Sequence, residues 1–249
     1  MTRLISSLGA LALGLVATAA SAVPIAGLYN TGVNNAGAAL AADIVDTHYA
    51  FSVVTGTAVG TGGHGVVQKD ANAELYAWTL NNAGTWNDAG TSNYSRWIIP
   101  AAVASGGYPS YDPSTSGVYD WTLQFNLSGF VVSSATINGK IGADNSVKVF
   151  LNGTQIAESP YDGGYNSYSF YEANATTFNI TGGAGLNAGL NTLKFEVTNT
   201  PGVGNPTGLR TYFTSSVTPV PEPQTWALMG AGLALLTLAA YRRRATQGL

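Results

Sequence analysis

Few residues in this sequence are of a kind that does covalent chemistry, and their spacing narrows the options. It has two histidines, His48 and His64, and no cysteine. His64 lies in GTGGHG, Gly60 to Gly65, which formally matches G-x-G-x-x-G. A dinucleotide fingerprint needs a strand before the glycines, a helix after them and an acidic residue some way on. Both flanks here read as strands, so dinucleotide binding is set aside. His48 opens a strand pattern and reads as structural or exposed. No H-E-x-x-H, P-loop, G-x-S-x-G or cysteine nucleophile occurs. One catalytic arrangement stays open, a pair of carboxylates brought from distant strands to hydrolyse a glycoside. With thirteen acids in the chain, some will be neighbours by chance. The reading preferred here is non-enzymatic, with a secreted glycan-active enzyme and a ligand-free structural protein as alternatives.

Two constellations suit binding rather than catalysis. In SPYDGGYNSYSFY, Tyr161, Tyr165, Tyr168 and Tyr171 crowd a glycine-rich stretch, and GGYPSYDPSTSG adds Tyr108 and Tyr111. Tyrosine rings stack on the apolar faces of sugars while their hydroxyls stay wet. The competing reading packs these rings along the edges of the fold. On one regular strand Tyr165 and Tyr171 share a face and Tyr168 points the other way, so a joint site needs a loop or a bulge. The second constellation is acidic. Asp144 beside Asn145, with Asp112 and Asp162 in loops, offers hard oxygen ligands for calcium. Asp and Asn are also ordinary turn residues. Calcium is therefore the one metal considered, and no other cofactor is expected.

The elements that must carry these residues have a period of two. In YDWTLQFNLS, Tyr119, Trp121, Leu123, Phe125 and Leu127 share one face and polar residues take the other, the pattern of a half-buried strand. NTLKFEVTN alternates Leu193, Phe195 and Val197 in the same way. SVKVFLNGTQIAE sets Val147, Val149 and Leu151 before Asn152-Gly153, which reads as a hairpin turn, and ATINGKI repeats that turn chemistry at Asn138-Gly139. HYAFSVV, ELYAWTL, SRWII, ATTFNI and GLRTYFTSSV complete a set of short strands. The expected fold is all-β, an antiparallel sandwich. Residues 23–218 hold six Lys/Arg against twelve Asp/Glu, a net charge of −6. That charge argues against nucleic acid as a partner. Without disulfides the domain must rely on its apolar core.

The two ends differ in kind from the middle. Residues 1–22 show Arg3, an apolar run and Ala20-Ser21-Ala22, the pattern of a signal peptide cut by signal peptidase after Ala22. At the other end, the uncharged run from Trp226 to Tyr241 is followed at once by Arg242, Arg243 and Arg244. As a helix that run spans about 24 Å, against a hydrocarbon core of roughly 30 Å. With interfacial aromatics and the positive-inside rule, it is expected to be a short transmembrane helix over 226–241. Prolines at 219, 221 and 223 hold an extended segment before it, a shape suited to a protease cleft. The expected organisation is a signal helix over 1–22, a β-sandwich over 23–218 and a processed tail over 219–249.

Pro221-Glu222-Pro223, an apolar helix and an arginine cluster at the C-terminus resemble a PEP-CTERM sorting signal, over Val217 to Leu249. The resemblance implies that exosortase, a membrane-embedded protease or transpeptidase of bacteria, reads the tail. The protein would be exported, held briefly at the inner membrane, and then placed at the cell surface or outside the cell. A second resemblance covers roughly residues 44–218. DTHY, SRWIIP, Ala143-Asp144-Asn145 leading to Leu151-Asn152-Gly153, and Gly189-Leu190-Asn191-Thr192-Leu193 are similar to galactose-binding-like jelly-roll domains of bacterial surface proteins. That likeness implies a jelly roll that binds exopolysaccharide or serves as an accessory domain without a ligand, for instance in a biofilm matrix.

Overall fold

The computed structural model describes residues 20–41, 43–58, 63–67, 95–100, 115–161, 163, 169, 174–201, 207–221 and 223–247, with side chains of the C-terminal helix described over 228–244. The chain divides into two units, one of Ala22–Thr218 and one that contains Pro219–Leu249.

Among the described residues the first unit has ten strands. They are β1 (Val45–Thr55), β2 (His64–Val67), β3 (Ile98–Ile99), β4 (Gly117–Asn126), β5 (Phe130–Asp144), β6 (Ser146–Leu151), β7 (Thr154–Glu158), β8 (Thr176–Ile180), β9 (Leu190–Asn199) and β10 (Gly208–Pro219). Hydrogen bonds join them in the order β7-β6-β9-β4-β1-β2-β3-β10-β5-β8. This differs from the two separate sheets of the expected sandwich. A single, mostly antiparallel sheet is rolled upon itself, and among the described residues β2 and β3 link its two halves. The halves face each other across the core. Phe195 on β9 and Phe213 on β10 are far apart in strand order, yet their ring centroids lie 6.3 Å apart. Likewise the Tyr49 hydroxyl on β1 lies 2.5 Å from Thr211 Oγ1 on β10. The result is sandwich-like in section and close to a barrel in connectivity.

Alternation explains why these segments are strands. Tyr119, Trp121, Leu123, Phe125 and Leu127 are all buried, as are Leu193, Phe195 and Val197 on β9. The two strands pair in register, with Trp121 opposite Phe195 and Leu123 opposite Leu193. Full burial of such side chains stabilises by about 1.5–3 kcal/mol each, so a strand with five inward apolar residues has one stable register. Asn152-Gly153 turns between β6 and β7, as its sequence suggests. Both residues have positive φ, 49° and 85°, as a two-residue hairpin of this kind requires.

The second Asn-Gly pair does not turn. Asn138 and Gly139 lie inside β5, paired with Asn179 and Phe178 of β8. A Cβ at position 139 would stand 2.3 Å from the Phe178 ring. Glycine is there to admit an aromatic ring rather than to bend the chain.

Among its described residues the second unit carries a helix, Pro223–Gln247. It begins with proline in the first turn, where a missing N–H costs nothing, and Arg244 sits in its last turn, where the helix dipole favours a cation. The expected transmembrane helix over 226–241 is corrected here. Among the described residues no helix is long and apolar enough to cross a membrane. The physical reason is length: as a helix the sixteen-residue uncharged run spans about 24 Å, short of a hydrocarbon core of roughly 30 Å, before the three arginines end it. The N-terminal signal helix lies outside the described residues.

Candidate functional site

The tail is the first site to place. β10 runs as far as Pro219, and Val220 and Pro221 are exposed before the helix begins at Pro223. Arg242, Arg243 and Arg244 are exposed on the helix, as are Leu228, Leu233, Leu235, Leu236 and Leu238. Glu222 lies outside the described residues. At the other end of the β-domain, Ala22 is exposed and leads into Val23. Val23 and Val217 exchange two backbone hydrogen bonds, 2.9 and 2.8 Å. The domain is thus pinned shut beside both segments expected to be cut, next to Ala20 and Ala22 at one end and Pro221 at the other.

A cleft of about 430 Å³ lies over β1 and β4, bordered by Tyr29, His48, His64, Thr122 and Gln124. Sequence reading left His48 as an unremarkable strand residue. The structure gives it a built setting. Its ring stacks on Tyr29 with centroids 3.9 Å apart, and its Nε2 lies 2.8 Å from Asn35 Oδ1. Its Nδ1 lies 3.1 Å from Asp46 Oδ1, within ion-pair distance but not aligned as a hydrogen bond. Asp46 is fully buried and accepts from the backbone N–H of Gly32 (2.6 Å) and of His48 (2.9 Å). Burial pushes the Asp46 carboxyl up, and those two N–H donors and the His48 ring oppose the shift. The signal was present in the sequence as Asp-x-His, since residues two apart share a face of a strand. Tyr29 gave no signal, because the segment that carries it has no strand period. His64 opens β2 and its Nδ1 lies 3.0 Å from the carbonyl oxygen of Tyr49. A strand follows it, not the helix a dinucleotide site needs.

Asp144 and Asn145 are adjacent and buried, but their donors and acceptors are mostly consumed. Asn145 Oδ1 accepts from Thr200 N (2.7 Å) and Thr200 Oγ1 (2.8 Å), and Asn145 Nδ2 donates to Asp144 Oδ1. Only Asp144 Oδ2 lacks a partner. Calcium takes six to eight oxygens, and this pair as arranged offers one. Among the described residues no three His, Cys, Asp or Glu side chains converge as metal ligands. Burial pushes the Asp144 carboxyl well above the usual carboxylate range.

Of the tyrosine cluster, Tyr161 is half-buried; Tyr165, Tyr168 and Tyr171, like Tyr108, Tyr111, Asp112 and Asp162, lie outside the described residues. A carboxylate pair does occur. Asp120 on β4 stands opposite Glu196 on β9, and Lys194 Nζ bridges them at 3.2 and 3.0 Å. Neither acid borders the cleft over β1 and β4. The two segments that carry the jelly-roll resemblance meet in space. Asn152 Nδ2 donates to Asn191 Oδ1 (2.9 Å), and Thr192 N donates to Asn152 Oδ1 (2.9 Å). These bonds hold the hairpin against β9 and have a structural role.

Residues 219–244 match the family model described as the PEP-CTERM protein-sorting motif. No curated protein matches the sequence. Among solved structures, the crystal structure of Se-Met labeled β-glucosidase from Kluyveromyces marxianus is similar at 11% identity, with a TM-score of 0.26, over 59% of this chain and 20% of that one. The chain spans about a fifth of that enzyme's length, and so low a score carries no argument about fold or activity.

Proposed function

We propose that this chain is an exported, non-enzymatic protein of the cell surface or extracellular matrix, delivered there by a C-terminal signal that exosortase reads. One observation carries the reading: the sorting motif over 219–244 coincides with an exposed proline segment followed by a helix that is apolar and then tribasic. Signal peptidase removes the leader after Ala22. The proline segment enters the exosortase cleft in extended form, and the leucine-studded helix is the surface shown to that membrane-embedded enzyme. Contact with the inner membrane is transient in this reading. The β-domain, which we read as a galactose-binding-like jelly roll, then engages exopolysaccharide, with no cofactor taking part.

The test is replacement of Pro221, Glu222 and Pro223 together by alanine in a host that carries exosortase. The uncut form is expected to accumulate with the membrane fraction. Mature protein of unchanged size and location would overturn the sorting reading.

A further inference from the structure

The outer side of β2, β1 and β4 carries hydrogen-bonding groups that the fold leaves unspent. The cleft of about 430 Å³ there is within the range of ligand sites, and Tyr29, Thr47, His48, His64, Thr122 and Gln124 border it. Strand pairing sets its floor. Ala50 of β1 stands opposite His64 of β2 and opposite Thr122 of β4, so one small residue separates two polar ones. The three strands span about 10 Å across, enough for a short stretch of sugar chain. The side chains of Thr47, Thr122 and Gln124 have no hydrogen-bond partner among the described residues. His64 is exposed, and its Nδ1 lies 3.0 Å from the carbonyl oxygen of Tyr49. A carbonyl only accepts, so Nδ1 holds the ring proton and Nε2 of the neutral ring is left as an acceptor. Tyr29 supplies an aromatic wall, stacked on the His48 ring. The buried Asp46 carboxyl, 3.1 Å from His48 Nδ1, holds that ring in turn. The groove over β10, β5 and β8, about 490 Å³, differs. Its amides form a row spent on one another, since Asn179 Nδ2 donates to Asn138 Oδ1 and Asn138 Nδ2 donates to Thr214 Oγ1 at 3.3 Å.

We propose that the cleft over β2, β1 and β4 binds a neutral glycan, a polysaccharide of uncharged sugars in chemical class. A pyranose face stacks against Tyr29. Sugar hydroxyls both donate and accept, and the cleft meets both needs. Thr47, Thr122 and Gln124 donate and accept, and His64 Nε2 accepts. These groups exchange water for sugar hydroxyls without breaking a bond inside the described fold. No Asp, Glu, Lys or Arg is among the described residues that border the cleft. The net charge of −6 over residues 23–218 opposes a polyanion and leaves a neutral chain unaffected. The proposal rests on the exopolysaccharide reading above and gives it a site and a ligand class.

The experiment is affinity electrophoresis of the full chain in detergent micelles, through gels that contain hydroxyethylcellulose, galactomannan, dextran or, as the charged comparison, alginate. At least one neutral polymer is expected to retard the parent, and more strongly than alginate does. Tyr29→Ala, Gln124→Ala and Ala50→Trp, the last filling the floor between His64 and Thr122 from an exposed position, should each weaken that retention by roughly five- to tenfold. Unfolding is followed alongside, and Ala50→Trp keeps the test decisive if Tyr29→Ala melts early. Equal retention of the folded variants and the parent overturns the cleft while leaving glycan binding at another face. Stronger retention by alginate than by every neutral polymer overturns the neutral class. No retention by any polymer overturns the proposal and the exopolysaccharide reading, whereas sorting is decided separately by the proline replacement.

Discussion

Two outer faces of the β-domain rest on one core and carry opposite chemistry. On β4, β9, β6 and β7 the outward face carries, among Thr122, Gln124 and Thr192, charges that pair with one another. Lys194 bridges Asp120 and Glu196, and Lys148 lies 3.8 Å from Glu158. On β10, β5 and β8 the outward residues around Lys140 and Tyr212 are amides and hydroxyls: Thr136 with Ser216 at 2.9 Å, and Asn138 with Thr214 and Asn179. The inward residues beneath are alike in kind, Trp121, Phe195 and Val149 under one face and Ile137, Phe178 and Phe213 under the other. Folding requires the inward set alone. The outward sets are free to differ, so their difference reports use. Charges that satisfy each other leave little for a partner, and so do amides bonded to one another, whereas Thr122 and Gln124 beside the charged pairs keep their hydrogen bonds for a sugar.

If both faces lie on one core, truncation beneath either should cost alike. Trp121→Ala and Phe213→Ala are each expected to lower stability by about 3–5 kcal/mol, measured by denaturant unfolding. Gln124→Ala and Thr214→Ala, which point outward, should cost less than about 0.5 kcal/mol. A much smaller loss for Phe213→Ala would mean that the amide face has its own, weaker support, and the comparison would fail. Next in size is Gly139→Ala. A methyl group there would meet the Phe178 ring, and overpacking of this kind costs about 1–3 kcal/mol. Because the cleft over β1 and β4 lies on the other half of the sheet, polysaccharide retention should be unchanged in the folded variant, and a loss of retention would move the binding face to β5 and β8.

How much of this was legible in the sequence follows from where the signal is local. Alternation in 119–127 and 191–199 marked the inward face residue by residue, because a buried face constrains every second position. Asn152-Gly153 declared its turn through backbone sterics alone. Asn138-Gly139 carried the same letters and meant something else. Its glycine answers Phe178 on a strand some forty positions away, and pairing of that kind leaves no local trace. Reading that pair as a turn hid the amide row. The closure of the strands into one sheet was hidden for a similar reason, since it depends on β2 and β3, too short for their period to show. The tail was the most legible part, since proline, apolar run and arginines are contiguous.

Asp144 offers a pH test of the shared core. Burial raises its carboxyl in the folded state. A group raised on folding contributes stability that is complete below its unfolded value, about pH 4, and lost as pH rises through the folded value. The parent should therefore lose stability on going from acid toward neutral pH by this route. Asp144→Asn cannot titrate and should remove that slope, with denaturant midpoints taken across the range. An unchanged slope would mean that burial does not raise the Asp144 carboxyl in the folded state.

The smallest effect concerns the charged face itself. Lys194→Ala leaves Asp120 opposite Glu196 with no cation between them, and like charges directly opposite repel across a strand pair. The side chains are partly exposed, 31% for Lys194, 19% for Asp120 and 27% for Glu196, so the loss should be about 1 kcal/mol or less. Its pH dependence identifies its cause. Burial raises the Asp120 carboxyl, Lys194 opposes that shift, and Glu196 adds to it. Removing Lys194 drives the carboxyl higher still, so the penalty should be present near neutral pH, fade in acid as both carboxyls take up protons, and shrink in high salt. Lys194 also lies over the Phe150 ring, 4.5 Å from its centroid, and its stem covers apolar surface. Lys194→Met keeps the stem and removes only the charge. If the methionine variant is as stable as the parent at every pH while alanine is not, packing on Phe150 holds the lysine in place. The charged face would then be an apolar cover with ions on top, no longer the self-neutralised counterpart of the amide face.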